Sequence, residues 1–408
     1  MIFPLERRGS LYTKIKERKE ILHVVHKDGV QKQVHNNLLG NITKKSETDD
    51  FFITTSSTED LYSRTLKEVD IQLLIKRLER SSIKIAKKKY IYNTLSFSLI
   101  KELNCEYFYN NISVLEQETI ITTLDYELLI NNKVAEIKIK RSLKVFCDAS
   151  IEHIANNFEE DLREVIDIYG SKLHKIDSSE INQSMDLILA RGTGGVLVHE
   201  AVGHCLEADH IYENSSIFSN KINKKVGNGN LNISDVPFKN ISISSDGTRV
   251  KAVNLIKDGF VKNVISDKYT SKAYGIEDTG NGRVDVFNNF VIPRMRCTYL
   301  HNGIFNVEYI IKNTKMGLFV TDIGAAHVDT KSGEFVFLIE KGVLIENGRK
   351  SYIVENLLFH NNVLDILNNI NLIGNDLLFY GAICGKRDQY VPVIYGQPTI
   401  SIRRGLKI

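Results

Sequence analysis

The chain has 408 residues, 42% of them hydrophobic and 25% charged, an ordinary globular composition with enough length for two or more domains. Its 53 basic and 50 acidic residues leave a formal net charge of +3, which gives a nucleic-acid-binding role no electrostatic support. No apolar run approaches the ~18–20 residues that span a bilayer, so no membrane partner is expected.

The opening segment MIFPLERRGSLYTKIKERKE has no apolar h-region, and no secretory signal is read there. The five cysteines, Cys105, Cys147, Cys205, Cys297 and Cys384, are odd in number and scattered, which fits a reduced cytoplasmic protein better than a disulfide framework. In chain order, ILHVVHKDGVQKQV predicts two strands joined at Asp28-Gly29. Thr58 to Arg80 follows with helical spacing of Leu61, Leu66, Val69, Leu73, Leu74 and Leu78. A strand-rich stretch, ETIITTLDYELLINNKVAEIKIKRSLKVF, turns at Asn131-Asn132. Asp148 then stands where it can cap a helix whose apolar face is Ile151, Ile154, Ala155, Phe158, Leu162, Val165 and Ile166, ended by Gly170. Beyond it the chain reads as short β runs with Gly turns, for example around Asp258-Gly259. The expected fold is α+β. An α/β N-terminal region over 1–180, with a subdomain boundary near 60–80, precedes a β-rich C-terminal domain over 181–408.

The chemistry concentrates in DLILARGTGGVLVHEAVGHCLEAD, read as a strand from Asp186 to Ala190, a turn at Gly192, Gly194 and Gly195, and a helix carrying His199 and Glu200. A phosphate-binding loop is the rival reading, disfavoured because the Gly-Lys-Ser/Thr ending is absent. The pattern is H-E-x-x-x-H, with His199 and His204 five apart rather than four. On a regular α-helix that spacing separates the two rings by roughly 140°. A π-bulge would bring them nearly into line, and Gly203 relaxes the backbone for it. The plain alternative is a core His199 and a surface His204. Near the C-terminus, GAICGKRDQYVPVIYGQPTISI places Cys384 between Gly381 and Gly385, read as a turn between strand-like runs. Such a Cys is a candidate metal donor, or else a buried thiol.

Four stretches taken together resemble the TldD/PmbA family of metallopeptidases, of the TldD type. They are GGVLVHEAVGHCLEAD, TGNGR followed by PRM, AHVDTKSGEFVF, and CGKRDQYVPVIYGQP, in the family's order over about half the chain. The resemblance implies a zinc centre held by His199, His204 and Cys384, with Glu200 activating a zinc-bound water for peptide hydrolysis. It also implies unfolded or modified peptides as substrates, taken as an added strand inside the chamber of a dimer. The dimer partner would be a second copy or a catalytically silent paralogue. The family's substrate-binding residues cannot be carried over from these stretches. Cys205 is a rival ligand, and Cys297 stands where a small polar residue is usual. Ala208 replaces a common Gly. Glu207, Asp209 and His210 either orient ligands or are solvated charges, and Lys386 and Arg387 read first as solvated turn residues and second as contacts for a peptide carboxylate. Two other classes stay open. One is a non-catalytic zinc-containing interaction or regulatory subunit, against which Glu200 argues. The other is a nucleic-acid-associated modulator, disfavoured by charge.

Overall fold

The computed structural model describes residues 11–26, 29–35, 41–47, 52–57, 92–109, 114–131, 134–146, 151–171, 173–181, 184–238, 241–285 and 290–406. Of residues 11–122, 131, 144–155 and 325 it describes at most the backbone. The expected helix from Thr58 to Arg80 and Asp148, the expected cap of the helix after it, lie outside the described residues. The fold is mixed α and β, rich in strand and poor in helix.

The N-terminal strands are β1 (Leu11–His26), β2 (Gly29–His35), β3 (Asn41–Glu47), β4 (Phe52–Ser57), β5 (Tyr92–Tyr109), β6 (Val114–Asn131) and β7 (Glu136–Phe146). They form one sheet in the order β4-β3-β1-β5-β6-β7, with β2 also paired to β1. The predicted hairpin is present, with His26 opposite Gly29, so Gly29 opens the second strand instead of lying in the turn. Asn131 closes β6, and Asn132 lies outside the described residues.

The helix Ile151–Tyr169 covers the predicted span. Phe158, Leu162, Val165 and Ile166 are buried, as their shared face requires. They belong to one cluster with Leu124, Leu128 and Ile137 of the N-terminal sheet and with Ile188, Phe319 and Ile353. One apolar cluster thus joins the helix, the N-terminal sheet and a second sheet. That second sheet comprises β8 (His174–Ile176), β9 (Met185–Leu189), β16 (Met316–Val328), β17 (Glu334–Glu346), β18 (Arg349–Asn362), β19 (Ile370–Ile373) and β22 (Ile400–Leu406). Its order is β19-β22-β9-β16-β17-β18-β8.

A third sheet runs β12-β11-β10-β15-β21-β20. Its strands are β10 (Ile233–Val236), β11 (Val253–Lys257), β12 (Phe260–Val261), β15 (Cys297–Leu300), β20 (Leu378–Lys386) and β21 (Gln389–Gln397), while β13 (Gly282–Arg283) and β14 (Ile292–Pro293) pair separately. Asp258 and Gly259, both with positive φ (53° and 79°), make the two-residue turn between β11 and β12 that their sequence predicts. A large apolar core joins the second and third sheets, with Leu187, Leu189, Ile233, Leu255, Phe335 and Phe337 among its members. The His-Glu segment lies in that core. Among the described residues, no helix is long and apolar enough to cross a membrane.

Candidate metal centre

The strand β9 ends at Leu189, one residue earlier than the sequence suggests, and feeds a glycine turn. Gly192 has φ of +77°, a left-handed conformation that suits glycine. Gly195 opens the helix against β21, where a Cβ would lie 2.5 Å from the Tyr395 ring and 3.1 Å from the Gly396 nitrogen. After one short α-helical stretch, Gly195–Leu197, the chain widens into a π-helix over Val198–Gly203 and then tightens into a 3-10 turn over His204–Leu206. The backbone N–H of His204 donates to the carbonyl of His199, the five-residue step that defines the wider turn. This is the irregularity that the five-residue spacing demands. It brings the two imidazoles to 5.0 Å between ring centroids, at 79° to one another. Val198, Ala201 and Val202, on the other side of the turn, are buried in the large core and anchor it.

Gly203 is set by packing. A Cβ at that position would lie 1.8 Å from Met295 Sδ, and Met295 is itself fully buried. Gly203→Ala is expected to push Met295 out of place and destabilise the fold by about 1–3 kcal/mol, the usual cost of overpacking. Urea unfolding of the variant measures this. An unchanged midpoint would mean that Met295 has room to move.

Cys384 reaches the site from the opposite side. It stands on β20, paired with Val391 of β21, and not in a turn as its flanking glycines suggest. The turn lies further on, at Arg387 and Asp388, both with positive φ (48° and 59°), as a two-residue hairpin loop requires. One nitrogen each of His199 and His204 and the Cys384 sulfur all lie within 4.8 Å of one another, and all three residues are buried. The Cys384 Sγ is 3.1 Å from His204 Nε2. Both ring nitrogens of His199 are buried with no hydrogen-bond partner. Buried polar atoms rarely remain unpaired, so this imidazole points to a ligand. Two imidazoles and a thiolate form a donor set suited to zinc in size and softness.

The surroundings prepare these donors. Glu207 Oε2 accepts from His204 Nδ1 at 2.9 Å, which leaves Nε2 to face the other donors. Burial would raise the Glu207 carboxyl, but the Lys386 ammonium and His204 hold it far below the usual carboxylate range. Burial likewise opposes a charged His204, and the charges of Glu207 and Cys384 overcome it and raise its pKa well above the ordinary value, so an ion binding at Nε2 must displace a proton. For Cys384, burial pushes the thiol up, yet His199 and His204 bring it down to about 4.

Sequence reasoning misjudged Lys386. It is buried, and its ammonium donates to Glu207 Oε2 at 2.9 Å and to Asp209 Oδ1 at 2.9 Å. Strand alternation offers a signal for this, because Cys384 and Lys386 share one face of β20. Glu207, Asp209 and His210 also come within metal-binding distance of one another, but the Lys386 ammonium already meets the first two. Arg387 is half exposed, 3.4 Å from Asp209. Arg294, quoted in the sequence only as part of PRM, is fully buried and donates from Nη2 to the Cys384 carbonyl at 2.7 Å and to its Sγ at 2.9 Å.

The rival cysteine faces elsewhere. Cys205 is fully buried, its thiol 3.8 Å from the Thr330 carbonyl and its pKa pushed up by burial. Cys297 is a buried thiol on β15. Glu200 is partly exposed, with Oε2 3.9 Å from His204 Nε2, beyond hydrogen-bond distance.

A family model described as the PmbA/TldA metallopeptidase C-terminal domain matches residues 182–404, more than half of the chain. The chain belongs to the PmbA/TldD metallopeptidase family. Among its relatives is a metalloprotease TldD homologue of Buchnera aphidicola, 34% identical over 229 residues that cover 54% of this chain and 47% of that protein. A zinc metalloprotease TldD homologue of Saccharolobus solfataricus is 32% identical over 225 residues, 53% of this chain and 50% of that protein. The chain thus spans about half the length of the curated relatives it matches. The crystal structure of TldE from Thermococcus kodakarensis shares the fold, with a TM-score of 0.71 at 15% identity over 97% of this chain and 96% of that one. PmbA/TldD membership and the buried donor trio converge on the same segment, since His199, His204 and Cys384 all lie inside the matched region.

Proposed function

We propose that this member of the PmbA/TldD family is a zinc-dependent peptidase. His199, His204 and Cys384 hold the ion, and Glu200 is the general base. The observation that carries this reading is the donor count beside a carboxylate. Among the described residues three buried donors converge, and Glu200 of the same helical segment brings a carboxylate oxygen to 3.9 Å from His204 Nε2. Structural zinc sites are usually closed by four ligands, whereas catalytic ones keep a position for water or substrate. Bound zinc supplies a Lewis acid for the scissile carbonyl and for the attacking water. Glu200 takes the water's proton on a carboxylate oxygen and passes it to the nitrogen of the departing amine. Glu207 engages His204 Nδ1, which leaves Nε2 as the nitrogen that would bind the ion.

The substrate we infer is an unfolded or modified peptide, held as an added strand within the chamber of a dimer. The second subunit is another copy of this chain or a silent paralogue, and the setting is the cytoplasm. The position of β20 at the end of its sheet, with Cys384 on it, supports strand-wise delivery of a peptide to the metal centre.

The test is hydrolysis of an unstructured peptide by the purified chain, alone and mixed with a paralogue lacking the His-Glu motif. The expected result is cleavage that a chelator abolishes and zinc restores. Cleavage that survives complete metal removal would overturn the reading.

A further inference from the structure

Arg294 carries a charge that the proposed mechanism leaves unused. It follows β14, and its backbone is clamped at both ends. Its N–H donates to the Asn281 carbonyl at 3.0 Å, and its own carbonyl accepts from Asn281 Nδ2 at 3.1 Å. Asn281 Nδ2 donates in turn to Asp235 Oδ2 at 2.8 Å, and both of those residues are buried. The guanidinium is thus delivered from a fixed frame. Among the described residues it makes no salt bridge with a carboxylate, although its charge is felt at Glu207, and its hydrogen bonds go to the Cys384 carbonyl, the Cys384 sulfur and, at 3.4 Å, the Gln389 carbonyl. A buried guanidinium needs an anion close by, since an unpaired buried charge is costly. The Cys384 sulfur, 2.9 Å from Nη2, is the side-chain atom that its hydrogen bonds reach.

We propose that Arg294 is a positioning residue for Cys384, holding the sulfur in its rotamer and drawing charge from it through the Nη2–H···Sγ bond. The inference rests on the metal-centre reading above. A thiolate gives a metal more electron density than an imidazole or a carboxylate does, which weakens the metal as a Lewis acid. A charge-assisted hydrogen bond to that sulfur opposes the donation. Arg294 therefore offsets the drawback of a thiolate ligand while keeping its high affinity for zinc. The bond to the Cys384 carbonyl makes the same guanidinium a two-point clamp, with backbone and side chain of one residue fixed together.

The test replaces zinc by cobalt(II), whose sulfur-to-metal charge-transfer absorption reports the electron density on the sulfur. Arg294→Gln, folded and cobalt-loaded, is expected to shift that band to longer wavelength, because the sulfur lone pairs rise in energy without the cationic donor. With zinc restored, kcat should fall about 10–100-fold, the usual cost of losing an outer partner of a metal ligand, with KM little changed. Arg294→Lys, which retains a cationic donor, should recover part of the shift. A folded, loaded Arg294→Gln chain whose band stays at the unsubstituted position would overturn the proposal and leave the metal centre standing. No sulfur-to-cobalt band in the unsubstituted chain would contradict the metal centre itself. If the Gln variant fails to fold, a crystal structure of the metal-loaded, unsubstituted chain decides: Nη2 on Sγ supports the proposal, and Nη2 turned away overturns it.

Discussion

Glu200→Gln is expected to keep the fold and the bound zinc while lowering peptide hydrolysis by about 10²–10⁴-fold, the typical contribution of a general base. The amide is nearly isosteric with the carboxylate, and the position is outside the buried donor trio. Glu200 is partly exposed, so the exchange leaves no buried charge unpaired. Glu207 cannot take over. Its Oε2 is held by His204 Nδ1 and Lys386 Nζ, both at 2.9 Å, and Lys386 and His204 keep its carboxyl a very weak proton acceptor despite its burial. Peptide binding should survive, because only a proton acceptor is lost. Single-turnover cleavage of an unstructured peptide, with zinc content measured on the same sample, checks the effect. Near-normal turnover by a zinc-loaded variant would leave the mechanism without its base.

Cys384→Ser should weaken zinc binding by more than the roughly 10–100-fold that loss of an outer partner costs, and hydrolysis should be abolished with it. A neutral hydroxyl is a poor substitute for a thiolate on a soft donor site. The same change also removes the anion facing Arg294, whose Nη2 lies 2.9 Å from Sγ. Cys205→Ser gives the contrast. That thiol is buried among Leu197, Val202 and other core residues, is directed at the Thr330 carbonyl and stands outside the donor trio. Its replacement should cost some stability and leave zinc affinity unchanged. Competitive titration with a chromophoric zinc chelator compares the two. If the Cys205 change proved the damaging one, the third ligand would be misassigned.

Much of the site is legible in the sequence, and the physical reason is local. His199, Glu200, Gly203 and His204 lie within one helical segment, so their spacing states its own demand. Five residues between rings require a wider turn, and the π-helix over Val198–Gly203 supplies it. The helix Ile151–Tyr169 is legible for the same reason, because its apolar face repeats with helical period. What depends on pairing between distant strands is less so. The glycines beside Cys384 suggest a turn, but the chain turns only at Arg387 and Asp388, and the register of β20 against β21 places Cys384 within the strand. The burial of Lys386 follows from that register, since the strand aims it at two carboxylates brought by another segment. Arg294 carries no local pattern. Its role appears only when β14 and β20 meet, 90 residues apart along the chain.

The central claim is that one zinc ion is held by two imidazoles and the Cys384 sulfur. X-ray absorption at the zinc edge of the purified chain tests it most directly. The account predicts one sulfur at about 2.3 Å and two imidazole nitrogens at about 2.0–2.1 Å, with the sulfur scatterer lost in Cys384→Ser. A zinc shell of nitrogen and oxygen alone in the unsubstituted chain, or a sulfur that persists in Cys384→Ser, would contradict it.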